Sequence, residues 1–208
     1  IKIPDSVKTI GYMAFYDCEK LAVVDMGNGV SWLYSEAFRL CPALTKVVLS
    51  NNLTSIPEYA FADCVNLTDV TIYPGVTEIA TNAFSYASKV TMRGLKGSYA
   101  ETYANDRGMT FEAITSVNAS ELTIKYKSLT GSYWNDYIEY IPEASYTYTG
   151  EAIKPEIKVY FGSYELTEGT DYKLVSYENN VNIGNAVCTI EGLGVYSGKT
   201  SSTYKIVA

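Results

Sequence analysis

The sequence feature that most constrains the fold is an internal repeat of 23 residues in the first half of the chain. Ala-Phe pairs recur at that step as Ala14-Phe15, Ala37-Phe38, Ala60-Phe61 and Ala83-Phe84. A unit this short cannot bury its own apolar residues, so neighbouring units must stack and share one core. The repeat therefore predicts a solenoid of four coils, each with short extended segments and a tight segment around the Ala-Phe pair.

Apolar residues recur at the same step and indicate which positions point inward. The pattern Leu-x-x-Val-x-Leu/Ile predicts one short parallel strand per coil, and Val-x-x-Ile predicts a second extended piece. The large Phe beside a small Ala predicts a stacked aromatic ladder. Val24, Val47 and Val70 form one column that Arg93 interrupts, and we expect Arg93 to mark the end of the stack.

Three of the four cysteines follow the repeat. Cys18, Cys41 and Cys64 keep the 23-residue step, and Ala87 takes the fourth place. This spacing differs from the paired Cys-x2-Cys pattern of zinc sites, so buried structural thiols are the favoured interpretation. Disulfide pairing and a soft metal ion remain alternatives at this stage. Cys188 lies in an apolar strand and is expected in the core.

These motifs resemble the BspA-type family of leucine-rich repeats. The resemblance rests on the run Ile3–Gly11, followed by Ala14-Phe15, Cys18, Leu21 and Val24, and on its fourfold recurrence from residue 1 to about 95, or 114 with a cap. The family implies bacterial, secreted or surface-displayed proteins, often adhesins or binders of partner macromolecules. Because the sequence opens in mid-repeat without an initiator Met or a basic and apolar leader, we also expect that a signal peptide and earlier repeats precede it in its parent protein.

Residues 94–114 stop repeating and predict a C-terminal cap for the solenoid. The segment 97–108 predicts one short helix, with Ser98 and Glu101 as a capping box and Gly108 as its stop. A brief strand is expected over 109–114. We therefore predict a domain of residues 1–114, and a linker of residues 115–120.

The second half, residues 121–208, changes to alternating apolar residues separated by turn formers. This predicts an antiparallel β-sandwich and a mostly β protein overall. The predicted strands are Leu122–Tyr126, Ser145–Tyr148, Glu156–Phe161, Tyr172–Tyr177, Ala186–Gly192 and Ser202–Val207. Tyrosine is concentrated here, with eight of the twenty before residue 115 and twelve after it.

This half resembles an immunoglobulin-like repeat of surface proteins from Gram-positive gut bacteria. The motifs that carry the resemblance are Tyr146–Gly150, Glu168–Tyr172, Tyr177–Asn180 and Gly192–Gly198. Such modules imply spacers or weak binding units on the cell envelope. Residues 121–144 depart from the pattern and contain an extra stretch from Tyr126 to Tyr140.

Composition excludes several functions. The chain has no histidine, which removes Ser-His and Cys-His catalysis and His-ligated zinc. A net charge of −7 argues against nucleic acid or an anionic membrane as partner. The glycines between Gly192 and Gly198 suit a turn better than a phosphate loop, because no helix follows them. We expect no enzyme activity, cofactor, metal ion or membrane insertion.

Recognition is the function that the sequence favours. The partner would be a host or bacterial surface protein, or else a glycan; the alternatives are a carbohydrate-binding accessory module and a structural stalk. Trp32 falls in a column otherwise filled by polar residues, although it could instead pack on a neighbouring coil or on missing N-terminal repeats. The aromatics of 133–137 could instead plug the sandwich or pack on the cap helix. The candidate recognition residues are Trp32, Tyr34, Lys46, Asp69, Thr71, Tyr73, Tyr133, Trp134 and Tyr137.

Overall fold

The computed structural model describes residues 1–130 and 137–208 and shows a mostly β protein. The chain divides into two compact units, Ile1–Thr115 with Gly162–Tyr164, and Ser116–Phe161 with Glu165–Ala208. The predicted linker, residues 115–120, contains a short strand and the start of a 3-10 turn at Ala119–Glu121. The predicted domain bounds stay a prediction.

The first unit is a solenoid of stacked coils with short strands on two of its sides. In chain order the strands are β1 (Thr9–Ile10), β2 (Val23–Asp25), β3 (Trp32–Leu33), β4 (Lys46–Val48), β5 (Ser55–Ile56), β6 (Asp69–Thr71), β7 (Glu78–Ile79), β8 (Thr91–Gly94) and β9 (Thr110–Ala113). One side is a parallel sheet in the order β2-β4-β6-β8-β9. The other carries the parallel pairs β1-β3 and β5-β7.

The register of the parallel sheet corrects the interpretation of Arg93. Val24, Val47 and Val70 are paired in one row and fully buried, as the pattern predicts. The next residue in that row is Met92, which is also fully buried. The fourth coil is one residue shorter at this point, because Asp69 pairs with Thr91 across a step of 22 residues. Arg93 therefore lies on the outer face, and the prediction that it interrupts the core column is wrong.

An aromatic ladder runs along the axis of the solenoid, as the repeat predicts. The rings of Phe15, Phe38, Phe61 and Phe84 stack in near-parallel planes, with centroid separations of 4.9, 5.4 and 5.3 Å. Tyr103 closes the ladder with an edge contact to Phe84 at 6.3 Å. These separations are in the range favoured for aromatic pairs.

The cysteine column lies beside this ladder. Cys41 and Cys64 are fully buried, Cys18 is half-buried, and all four cysteines are free thiols. The Cys41 thiol donates a hydrogen bond to the carbonyl of Phe15, and Cys64 donates to the carbonyl of Phe38, both at 3.1 Å. Each thiol therefore bridges to the preceding coil. The interpretation of Cys41 and Cys64 as buried structural thiols is confirmed, and the disulfide alternative is contradicted.

The cap is a helix followed by the strand β9. Helix α1 (Tyr99–Asp106) buries Ala100, Tyr103 and Ala104 against the last coil. The predicted capping box is wrong, since the Ser98 side chain makes no capping hydrogen bond and Glu101 accepts from the amide of Gly97 at 2.6 Å. Gly108 adopts a φ of +64° just past the helix, which is the predicted stop.

The second unit contains two four-stranded sheets. Its strands are β10 (Val117–Asn118), β11 (Leu122–Thr130), β12 (Tyr137–Ile141), β13 (Ser145–Thr147), β14 (Ile157–Phe161), β15 (Tyr164–Leu166), β16 (Tyr172–Glu178), β17 (Gly184–Gly192), β18 (Tyr196–Ser197) and β19 (Lys199–Val207). One sheet has the order β12-β11-β14-β15, and the other β13-β19-β17-β16. Most pairs are antiparallel, but β13 pairs with β19 in parallel, and so does β10 with β18.

Tyrosine rings fill the space between these two sheets. Tyr126 of β11 contacts Tyr204 of β19 at 5.2 Å between centroids, and Tyr146 and Tyr177 meet the same Tyr204 ring edge-on. The hydroxyl of Tyr204 donates to the carbonyl of Ile153 at 2.6 Å. A buried phenol usually has such a partner for its hydroxyl. Four tyrosines among the described residues of this half, Tyr126, Tyr172, Tyr196 and Tyr204, are buried, so its core accounts for part of the excess of tyrosine.

Candidate binding surface

Two aromatic side chains stand out from the side of the solenoid formed by β1, β3, β5 and β7. Trp32 is 66% exposed and Tyr34 53% exposed, whereas Leu33 between them is buried. Alternation along an extended segment places residues 32 and 34 on the same outer face. Trp32 pairs with Thr9 in the preceding coil. The alternative that Trp32 packs on a neighbouring coil does not fit this exposure.

A charged network begins two residues after Tyr34, at Glu36, and joins this coil to the coils before and after it. Arg39 donates to Glu36 through Nη1 and to Asp63 through Nε, each at 3.0 Å. The guanidinium also lies 5.1 Å from the ring centroid of Tyr59, within cation–π range. The Tyr12 hydroxyl donates to Glu36 at 3.2 Å.

These contacts shift two pKa values in the network. Hydrogen bonds to Asp63 and Glu36 raise the pKa of Arg39, which keeps the guanidinium charged at any physiological pH. The hydrogen bond to Glu36 raises the pKa of Tyr12. The network is thus an arrangement of carboxylates and aromatic rings around one fixed cation.

The parallel sheet carries a second set of predicted residues, but they are paired with one another. Lys46 Nζ lies 3.7 Å from Asp69, and Arg93 contacts both Asp69 at 3.3 Å and Glu112 at 3.0 Å. Thr71 is half-buried in the same sheet. The structure therefore joins Lys46 and Asp69 in a cross-strand ladder of ion pairs. Surface pairs of this kind contribute about 0–1 kcal/mol each.

The remaining predicted residues are not brought into either group. Tyr73 is half-buried beyond the end of β6. Tyr133 and Trp134 lie outside the described residues. Tyr137 begins β12, and its side chain is likewise outside what the structure describes. The structure thus offers the aromatic pair Trp32–Tyr34 as the predicted recognition residues that share one exposed face.

Sequence reasoning missed a cleft between the last coil and the cap helix. It has a volume of about 410 Å³ and is lined by Ile79, Thr81, Tyr99, Thr102, Tyr103, Asp106 and Arg107. The guanidinium of Arg107 lies 5.6 Å from the ring centroid of Tyr103. The sequence offered no repeat column for this feature, because the helix lies outside the 23-residue pattern.

Catalytic and metal chemistry find little support in the described part of the chain. Within residues 1–130 and 137–208, no group of three or more Cys, Asp or Glu side chains is placed to hold a metal ion. Cys188 is buried among core residues, and this burial raises the pKa of its thiol to about 11. Such a thiol is a poor nucleophile at neutral pH. Among the described helices, none has the length and apolarity to cross a bilayer.

Comparison with solved structures gives similar proteins of repeat architecture. A leucine rich cell surface protein from Faecalibacterium prausnitzii A2-165 shares 30% identity, with a TM-score of 0.47 over 54% of this chain and 31% of that one. A leucine-rich repeat protein from Bacteroides ovatus ATCC 8483 shares 21%, with a TM-score of 0.39 over 47% and 30%. A leucine rich repeat protein from T. pallidum shares 22%, with a TM-score of 0.37 over 45% and 57%.

The chain spans about a third of the first two of these proteins and somewhat over half of the third. No curated protein matches it. The family model described as a BspA type leucine rich repeat region (6 copies) matches residues 1–100. This match covers the stacked coils and ends at the start of the cap helix. Residues 1–100 are a BspA-type leucine-rich repeat region.

Proposed function

We propose that this chain is a non-catalytic binding part of a bacterial cell-surface or secreted protein, and that it recognises a macromolecular partner through the solenoid. The observation that carries the proposal is the exposed pair Trp32 and Tyr34 on one outer face. Trp and Tyr dominate binding energy at interfaces, because they bury a large area at low entropic cost. A coil with a purely structural role does not require a solvent-exposed tryptophan.

The repeat architecture supports this role. Stacked coils align equivalent positions about 4.8 Å apart, so that side chains from several coils form one continuous surface. Around Trp32, that surface includes Thr9 and Ser55, which are small. The two large rings therefore rise above their neighbours. A partner can contact them without displacing other side chains.

We also propose that residues 121–208 are an immunoglobulin-like sandwich that acts as a spacer on the envelope. The support is the pair of four-stranded sheets joined by a tyrosine core. Surface location is proposed from the repeat family, many of whose members are displayed on cells.

Solid-phase binding tests the proposal. The chain is applied to an array of extracellular matrix proteins, bacterial surface extracts and glycans, alongside the double variant Trp32→Ala/Tyr34→Ala. Tyr99→Ala is the matched control, since Tyr99 is an exposed helical tyrosine on the cap. We expect the double variant to lose binding by 10-fold or more, in line with the contribution of two aromatic hot spots, and the control to retain it.

Binding that survives the double variant unchanged would remove the solenoid face from the proposal. Binding to polysaccharides alone would favour the accessory carbohydrate-binding role instead. If substitutions within residues 133–137 abolish binding while Trp32→Ala does not, the binding site lies in the second unit.

A further inference from the structure

We infer that the face around β3 binds a cationic segment of a partner protein, with an arginine or lysine side chain lying against the rings of Trp32 and Tyr34. This inference rests on the proposed function and specifies the chemistry of its partner. Three features of the surface carry it: uncovered rings, a guanidinium already bound by the adjoining network, and unpaired carboxylates in the two following coils.

The first feature is the uncovered aromatic surface. Trp32 and Tyr34 are more than half exposed, and their neighbours on the preceding coil are Thr9 and Gly11. A methyl group added at Gly11 would meet nothing within 4 Å, so open space lies beside the rings. The face of an indole carries negative electrostatic potential, and Trp is the strongest cation–π partner among the side chains.

The second feature is that the adjoining network already binds one guanidinium of this chain. Arg39 is held by two carboxylates, Glu36 and Asp63, and by the ring of Tyr59. Carboxylate oxygens and a ring face satisfy the planar donors and the charge of an arginine together. Further carboxylates lie in the two coils that follow Trp32 and Tyr34, where no arginine of the described residues pairs with them.

The third feature is the charge on the same side of the solenoid. Glu58 is exposed next to the coil of Tyr34, since its carbonyl accepts the amide of Glu36 at 3.1 Å. Glu78 is exposed in the column of Trp32 and pairs with Ser55. Neither forms an ion pair with another residue in the described ranges. The nearby cation Lys8 points its Nζ at the carbonyl of Asp5, 3.0 Å away.

Charge also separates this partner from the other possible occupants. A neutral glycan would stack on the rings and donate hydroxyl hydrogen bonds to Glu58 and Glu78, but it would carry no charge for them to attract over a distance. A second copy of the chain would bring its own net charge of −7 against the same charge. A basic segment is attracted at long range and steered to the surface, with an effect that salt screens.

Titration with short peptides followed by NMR tests the inference. The probe is a blocked pentapeptide of Gly and Arg with two arginines; the controls replace both arginines with Gln or with Glu. The chain has two indole N–H groups, from Trp32 and Trp134, and Trp134→Phe identifies the signal of Trp32. We expect the Arg peptide to shift the Trp32 signal, with a dissociation constant in the millimolar range that weakens several-fold between about 0.05 and 0.5 M salt.

Variants locate the interaction. Glu58→Gln is expected to weaken the Arg peptide about 3-fold and Tyr34→Ala about 5-fold, in line with one exposed ion pair or cation–π contact. Tyr99→Ala is the control and leaves the titration unchanged. Four results would each overturn the inference. They are equal shifts with the Gln peptide, shifts only with a neutral oligosaccharide, shifts on concentrating the protein alone, and no shift at all. If Trp32→Ala abolishes binding on the array while the Arg peptide gives no shift, the proposed function stands and the cationic partner is wrong.

Discussion

Truncation of one ring in the phenylalanine ladder gives the sharpest test of how the solenoid is held together. Phe61 is fully buried and stacks on Phe38 at 5.4 Å and on Phe84 at 5.3 Å. Phe15 is half-buried and stacks on one ring of the described ladder, Phe38, at 4.9 Å. The two positions carry the same residue in the same column. They differ in burial and in the number of stacked neighbours.

The expected costs follow from that difference. Phe61→Ala removes a fully buried ring and leaves a cavity, which costs about 3–5 kcal/mol of unfolding free energy. Within this figure, each aromatic contact contributes about 0.5–1.5 kcal/mol. Phe15→Ala loses about half the burial and one contact, so we expect about 2 kcal/mol. A unit of this size is stable by about 5–15 kcal/mol, so the variants should still fold at low temperature.

Thiol labelling during urea unfolding measures these costs separately for each unit. Cys64 is fully buried beside Phe61 in the solenoid, and Cys188 is buried in the second unit. A short pulse of alkylating reagent at each urea concentration, read by peptide mass, gives a separate unfolding midpoint for each unit. With a urea dependence of about 2 kcal/mol per molar, a loss of about 4 kcal/mol moves the Cys64 midpoint down by about 2 M.

Phe61→Leu is the companion variant in case the alanine variant does not fold. It keeps most of the side-chain volume and should cost about 1.5 kcal/mol. The reasoning is refuted if Phe15→Ala costs as much as Phe61→Ala, or if the Cys64 midpoint moves by less than about 0.5 M in Phe61→Ala. Either result would mean that the stacked rings do not carry the stability of the coils.

Three further predictions follow from burial and backbone geometry. In the native protein, a disulfide reagent should modify the half-buried Cys18, although burial raises the pKa of its thiol. The other three cysteines are buried and should react only after denaturant is added. Rapid modification of all four would contradict the structure. Burial raises the pKa of Tyr172 and Tyr204 to about 12, whereas unfolded tyrosine ionises near 10, so the stability they contribute is complete below pH 10 and lost between pH 10 and 12. Urea midpoints reported by Cys188 should fall across that range, and a flat profile would count against the buried hydroxyls. Tyr86 is 80% exposed and has a φ of +62°, a conformation that asparagine adopts more readily than tyrosine. Tyr86→Asn should therefore raise the unfolding free energy by about 0.5–1 kcal/mol. A lower urea midpoint for the variant would show that the ring makes a contact that outweighs the backbone strain.

The core of the solenoid could be predicted from the sequence because the sequence itself repeats with the period of the coils. Each coil repeats the same inward positions, so the columns of Phe and Val are enough to identify the buried residues. The error at Arg93 shows the limit of this reasoning. A fixed step of 23 residues placed Arg93 in the core, whereas the fourth coil omits one residue and buries Met92 instead. An apolar Met beside a charged Arg was the available signal.

The tyrosines of the second unit could not be assigned in the same way. Tyrosine is amphipathic, so composition alone does not distinguish a core phenol from a surface ring. The structure buries Tyr126 and Tyr204 between the sheets, and directs the hydroxyl of Tyr204 to a backbone carbonyl. Long-range pairing, such as the parallel contact of β13 with β19, decides this, and sequence periodicity does not record it.

The candidate site was predictable for a different reason. Trp32 breaks a column whose other members, Thr9, Ser55 and Glu78, are polar, and a departure from a strict repeat is visible in the sequence itself. The pairing of Lys46 with Asp69 was not visible, because ion pairs depend on which rotamers meet across strands. The charged network at Arg39 was missed because its three charged members, Glu36, Arg39 and Asp63, lie in three different columns.

Left-handed backbone conformations explain why the tight segment around each Ala-Phe pair repeats so faithfully. Non-glycine residues adopt positive φ at two positions in each of the first three coils, for example Met13 and Asp17 in the first and Glu36 and Leu40 in the second, and at Tyr86 in the fourth. Each such residue costs on the order of 1 kcal/mol.

The amides of the four such residues in the first two coils donate to carbonyls of the next coil, as Asp17 does to Arg39 at 2.9 Å. The amide of the ladder phenylalanine between each pair does the same, so alternate amides all point along the axis. The intervening amides bond within their own coil, as Ala14 does to the carbonyl of Gly11 and Tyr16 to that of Met13, so the left-handed residues belong to tight turns whose other amides need the next coil. The strain is therefore offset only when a following coil supplies the carbonyls. Because a single coil would keep the strain without the hydrogen bonds, the backbone of this segment favours stacking independently of its apolar core.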